Sequence, residues 1–309
     1  MIEVQLSFIL IFRTLKNQFY NSRGWKRVLL IIIPFFLFIG TAQIIGFLML
    51  GLDITLPSNN KTAEQHFVLS LFTLLGTISL IAVFTCFVDQ KKLVSVGFNK
   101  GFILKDIWIG VLTGVIIMLA GFVLLVLSRQ IHIDSIDYSF KNTLLVFGTF
   151  VCVGVSEELL FRGYVLNNLM VSFNKYIALV ISSIIFCIAH FANPDINTIG
   201  IIALLLAGLF LGLCYILTKN LWLPVALHFS WNFFQTLLGF NVSGGDSYSI
   251  VTTSFVHENI WNGGNFGFEG SVLSLIFQAL AMVVIFCWFK NRLSALDTKL
   301  AINSDQLDL

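Results

Sequence analysis

The sequence predicts an all-α fold, a polytopic transmembrane helix bundle of about eight spans. Three observations carry that prediction. Hydrophobic residues make up 57% of the 309 and charged residues only 11%, against about 25% charged in an ordinary soluble domain. Mean hydropathy is +0.92. The apolar residues are also gathered into runs, most of them near the ~20 that a membrane-crossing helix needs. Lys and Arg number 18 against 16 Asp and Glu, leaving a net charge of +2, so nucleic acid is not an expected partner and membrane lipids are.

In chain order, residues 1–27 place Arg13, Lys16, Arg23, Lys26 and Arg27 among Phe, Leu and Ile, the pattern of a basic amphipathic segment on the cytoplasmic surface. The first apolar run exceeds the 7 to 15 residues of a signal core and no small-x-small site follows it, so it is expected to stay as an anchor. Residues 28–142 hold three runs, at about 28–52, 67–88 and 107–127. A core at 143–240 holds four more, at about 143–166, 176–192, 199–217 and 221–238. The loop 241–270 contains Gly244, Gly245, Gly263, Gly264, Gly267 and Gly270 and is expected to be mobile or re-entrant. The last span, near 271–289, leads into a tail ending at 309.

Basic residues fall on alternate turns: Lys91, Lys92, Lys100 and Lys105, then Lys175, Lys219, and Lys290, Arg292 and Lys299 in the tail. The positive-inside rule therefore puts both termini in the cytoplasm, with a bacterial inner membrane as the expected setting. Cys86, Cys152, Cys187, Cys214 and Cys287 all lie in apolar runs without a Cys-x-x-Cys, and read as buried small hydrophobes with no disulfides.

Against this background the stretch Glu157-Glu158-Leu159-Leu160-Phe161-Arg162 stands out. Each charge at mid-bilayer costs roughly 2.5 to 3.5 kcal/mol, so three charges in one apolar run need compensation. Glu158 and Arg162 are four apart with the acid first, the favourable order for a helical pair. Glu157 is about 100° round the helix from Glu158, which leaves its carboxylate to face something else. A partly desolvated carboxylate is a candidate general base or acid. The competing reading is a structural ion cluster that ties helices together.

Two further apolar runs carry histidines. Phe186 and His190 are four apart, so the ring can pack beneath the imidazole; His228 and Asn232 also share a face, with Pro224 in the first turn, where its missing N–H costs little. Counting ~1.5 Å per residue from the turn near Ser172–Lys175 puts Glu157 and His190 at similar depth. His228 comes out shallower by about 9 Å, which requires a sunken turn between the sixth and seventh runs or tilted helices. His66, His132 and His257 fall in expected loops. Ser156, Ser182, Ser183 and Ser230 have no Gly-x-Ser-x-Gly or Ser-x-x-Lys setting, and there is no His-Glu-x-x-His.

Taken together, Glu157-Glu158 with Arg162, Phe186 with His190, and His228 with Asn232 resemble the three motifs of the CPBP family, which includes type II CAAX prenyl endopeptidases and bacterial Abi or bacteriocin-immunity proteins. The resemblance covers about 143–240. It implies an intramembrane endopeptidase acting on a membrane-associated or lipidated peptide, a class that includes the prenylated CAAX type. It further implies that Glu157 and His190 activate a water, that His228 and Asn232 hold the oxyanion, and that Glu158, Arg162 and Phe186 support the site. The family is often described as metalloprotease, so Glu157, His190 and His228 are also the implied ligands for a divalent metal such as zinc. The carboxamide of Asn232 suits oxyanion binding better and favours the metal-free form. Two rivals are a non-catalytic immunity or peptide-binding protein and a proton-coupled transporter; the latter should show paired broken helices in two repeated halves, and no such repeat is seen.

Overall fold

The computed structural model describes residues 24–53, 61–98 and 103–307, with side chains described as far as Lys290. Most of the expected amphipathic segment at 1–27, including Arg13, Lys16 and Arg23, lies outside the described residues. The helices that follow are α1 (Gly24–Met49), α2 (Ala63–Val88), α3 (Ile103–Leu127), α4 (Phe140–Ser172), α5 (Lys175–Ala189), α6 (Thr198–Thr218), α7 (Trp222–Leu237) and α8 (Val272–Leu307). They match the eight apolar runs one for one. Six of them, all except α5 and α7, are long and apolar enough to cross a membrane. The protein is a helical membrane bundle with several spans, and the many exposed Leu, Ile and Phe side chains of α1, α3 and α8 form its lipid-facing surface.

Helix starts are written into the sequence. Thr62 caps α2 through a capping box with Gln65, Ser139 caps α4, Asn174 caps α5 and Asn197 caps α6. α7 has no side-chain cap; Pro224 in its first turn removes one of the donors that would otherwise need one.

α7 lies at the centre, with most of its 16 residues buried. That burial explains why this helix can be short and can carry His228 and Asn232. Its closest partner is α3, where two glycines let the backbones meet: a Cβ on Gly110 would sit 2.7 Å from Leu227 N, and one on Gly114 would sit 2.8 Å from Trp231 N. α5 and α6 approach in the same way, with Gly208 against Ser183. Near the other end, a buried polar network joins three helices. Arg27 of α1 donates to Asn168 of α4 at 3.3 Å, and Asn168 donates to Asp89, just beyond α2, at 3.0 Å.

Two departures from regular helix matter. α2 ends in a π-turn at Phe84–Val88, and α4 changes from α-helix to π-helix at Leu159–Leu166 before resuming as α-helix. The turn between α6 and α7 is sunken. Lys219 takes the left-handed conformation, Asn220 and Leu221 are buried, and Leu221 N donates to Gly97 O at 2.8 Å. The segment around Gly97 thus covers the turn and ties it into the bundle.

Some expectations change. The glycine-rich loop packs into the bundle at two points: Phe266 and Phe268 are fully buried, Phe266 against Gly200 of α6 and Phe268 against Gly121 of α3. A small antiparallel sheet that the all-α reading did not include pairs β1 (His132–Ile136) with β2 (Val251–Ser254), with Ile133 opposite Thr253 and Ile136 opposite Val251. Cys86 and Cys287 are exposed on the apolar surface, while the other three cysteines are buried.

Gly114→Ala is expected to lower stability by about 1–3 kcal/mol, because its methyl group has no room against α7. Gly40→Ala in α1, where a Cβ meets nothing within 4 Å, should be neutral or slightly stabilising, since Ala is the better helix former. Thermal unfolding of the two variants in detergent checks this; equal shifts would contradict the packing described.

Candidate active site

α4 brings the charges to the site, and its change of helix type falls beside them. Regular α-turns run to Glu158, and every residue of the following π-helix is buried. Short π-stretches of this kind are frequent at functional sites. Within it, Arg162 Nη1 donates to Glu158 Oε1 at 2.6 Å, with side-chain exposures of 1% and 0%. A buried pair needs further partners to offset desolvation, and three other helices supply them. Arg162 Nη2 donates to Gly208 O of α6 at 3.3 Å. Its guanidinium carbon lies 4.5 Å from the centre of the Phe186 ring of α5. Nδ1 of His228, on α7, lies 2.8 Å from Glu158 Oε1.

Glu157 points elsewhere, as its place on the helix requires. Its Oε2 lies 3.6 Å from His190 Nε2 and 3.9 Å from His228 Nε2, beyond direct hydrogen bonding. That oxygen is buried and has no hydrogen-bond partner. A buried acceptor left in this state needs a ligand or a water. A water about 2.8 Å from Glu157 Oε2 can also reach either imidazole at hydrogen-bond distance, because both gaps are shorter than twice that length.

The imidazoles are oriented by their other nitrogens. His190 was expected inside an apolar helix; instead α5 ends at Ala189 and His190 is its C-cap. Its Nδ1 lies 2.8 Å from Phe186 O, and its ring is 4.5 Å from the Phe186 ring, centre to centre. A carbonyl and a carboxylate only accept, so Nδ1 carries the hydrogen in both His190 and His228. Nε2 of each is thereby turned to Glu157. Asn232, one turn after His228, is buried and borders the same cavity of about 460 Å³.

All seven residues singled out in the sequence therefore meet around Phe186 and this cavity. Other polar residues line it too, among them His66, Asp246, Glu269 and Gln278; Asp246 is exposed, whereas Glu269 is buried. His66 was assigned to a loop but lies on α2, with Nε2 buried and unpartnered. The Thr62–Gln65 capping box was the signal that the helix starts before it. Glu269 and Gln278 had no such local signal. His132 and His257 are exposed and lie away from the cavity lining. The four serines all donate to backbone carbonyls: Ser156 to Cys152, Ser182 to Phe161, Ser183 to Leu179, and Ser230 to Gly110 and Leu227.

Tetrahedral zinc with ligands at about 2.0–2.1 Å holds neighbouring ligand atoms roughly 3.3 Å apart. The separations from Glu157 Oε2, 3.6 and 3.9 Å, are wider. Among the described residues no group of three or more His, Cys, Asp or Glu side chains is arranged to hold a metal ion.

No curated protein matches the chain. Residues 139–234, which run from the cap of α4 into the last turns of α7 and include all seven residues of the cluster, match the family model described as Type II CAAX prenyl endopeptidase Rce1-like. In the helices that build its polar site, about a third of its length, the chain is thus similar to the Rce1-like type II CAAX prenyl endopeptidases.

Proposed function

We propose that this protein hydrolyses a peptide bond of a membrane-associated substrate with a water activated by Glu157 and His190. The observation that carries this reading is the unpartnered Glu157 Oε2 facing two imidazole nitrogens in a cavity lined mainly by apolar side chains. With Nδ1 of His190 donating to Phe186 O, a neutral ring presents the Nε2 lone pair. A water can then give one hydrogen to that nitrogen and the other to the Glu157 carboxylate, which leaves its oxygen lone pair for attack on the carbonyl carbon.

His228 has a different task. Its Nδ1–H is committed to Glu158, so only the protonated ring can also donate from Nε2. The Glu158 carboxylate lies beside it as a counter-charge. The His228 imidazolium and the Asn232 amide then donate to the oxyanion of the tetrahedral intermediate. A membrane peptide fits the cavity wall, which includes Phe35, Ile39, Phe150 and Leu204, and prenylated CAAX-type peptides belong to the substrates to be tried first.

Glu157→Gln should fold normally and lose about 10²–10⁴-fold in turnover, the range for a general base. Asn232→Ala should lose about 10²–10³-fold, as expected for one oxyanion donor. Both are read by cleavage of membrane peptides by purified protein, and wild-type rates in Glu157→Gln would end this reading. Arg162→Met should behave differently. It leaves the buried Glu158 without its cation and should cost about 3–5 kcal/mol of stability, seen as a lower melting temperature in detergent. Protein stripped with a chelator and shown metal-free by elemental analysis is expected to keep its activity; loss that zinc restores would move Glu157, His190 and His228 to the role of ligands.

A further inference from the structure

The loop between α7 and α8 brings a carboxylate into the cavity that the mechanism above leaves unused. Two aromatic anchors fix this part of the loop. A Cβ on Gly200 would lie 2.7 Å from the Phe266 ring, and one on Gly121 would collide with the Phe268 ring, so each ring fills the space a side chain would take. Between the anchors Gly267 turns the chain with φ +97°, and Gly244 N donates to Phe266 O at 3.0 Å. Glu269 follows at once.

Only 9% of Glu269 is exposed, and it lines the same cavity as Glu157, His190, His228 and Asn232. Its charge interacts with both imidazoles. Ser243 donates twice to it, from N at 3.0 Å and from Oγ at 2.7 Å, and both bonds go to Oε2. One oxygen is thus pinned to the loop and Oε1 is left for the cavity. Burial pushes the Glu269 carboxyl above the ordinary carboxylate range, with the Ser243 bonds and the two imidazoles pulling the other way.

We propose that Glu269 is the general acid of the cleavage, giving a proton to the departing amine nitrogen. The proposal rests on the reading of Glu157 as the base. As the water oxygen bonds to the carbonyl carbon, one of its hydrogens passes to Glu157. When the tetrahedral intermediate collapses, the C–O double bond re-forms, the C–N bond breaks with its electron pair going to nitrogen, and nitrogen takes the proton of Glu269. The products are a new carboxyl terminus and a free amine. Glu157 then holds a proton and Glu269 a negative charge, and transfer through a cavity water restores both. Two carboxylates held by separate elements in different surroundings can stay in opposite protonation states, as this division requires.

An amide nitrogen leaves only if protonated, whereas an activated ester leaves as its anion. The test therefore compares a cleavable membrane peptide with the same peptide carrying an activated ester at the scissile position, using full-length protein in lipid. Glu269→Gln is expected to lose about 10²-fold or more in kcat on the peptide while hydrolysing the ester at close to the wild-type rate. Glu157→Gln is expected to lose both. Equal loss of peptide and ester in Glu269→Gln would reduce Glu269 to a latch for the loop, and a wild-type peptide rate would remove it from the reaction; either overturns the proposal alone if Glu157→Gln is inactive. Wild-type rates in Glu157→Gln would instead overturn the reading of the base. Should Glu269→Gln fail to fold, Glu269→Asp keeps an acid but withdraws it by one methylene. The same selective loss, smaller in size, is then expected, and equal loss on both substrates would count against the proposal.

Discussion

The buried contact between Glu158 and Arg162 is the constraint on which the site depends. Two charges within one helix could satisfy each other and do nothing more. Here the acid also accepts from His228 of α7, while the base reaches a carbonyl of α6 and the face of Phe186 on α5. Removing either charge would strand the other in a dry interior, so the four helices are held in one relative arrangement. Glu157, next in the chain to Glu158, is placed by the same contact, and its orientation toward two imidazoles is a consequence of where its neighbour is held.

The arrangement separates atoms that are held by neighbouring groups from atoms that face the cavity. Each imidazole uses one nitrogen for orientation, against a carbonyl or a carboxylate, and turns the other toward the cavity. Phe186 acts as a common floor, meeting Phe161 edge to face, tilted under His190 and facing the Arg162 guanidinium. Among the described residues, four buried polar atoms without a hydrogen-bond partner belong to residues that border the cavity: Glu157 Oε2, His66 Nε2, Ser247 Oγ and Gln278 Oε1. In a low-dielectric interior an unmatched polar group is costly, and it is retained here where a water or a peptide can reach it.

Much of this was legible in the sequence because it depends on spacing along single helices. The i, i+4 pair, the separate facing of Glu157, and the shared faces of Phe186 with His190 and His228 with Asn232 all follow from helical geometry. What was missed depends on contacts between distant segments. His190 ends its helix and does not continue it; the Asn193-Pro194 turn signal a few residues on marks that end only approximately. The sinking of the α6–α7 turn is set by a backbone bond to Gly97, more than a hundred residues earlier. Glu269 looked like one more loop acid because its placement depends on Phe266 and Phe268 meeting glycines of α6 and α3. The glycines that suggested freedom in that loop instead allow close approach.

That bond from Leu221 to Gly97 has a consequence for how the chain can be divided. Residues 139–234 hold the recognisable chemistry, yet the stretch is not a detachable module. The buttress under its last helix comes from the segment between α2 and α3, and that helix packs closely on the glycine side of α3. The segments before residue 139 thus serve as scaffolding for a polar cluster to which they contribute none of the seven motif residues.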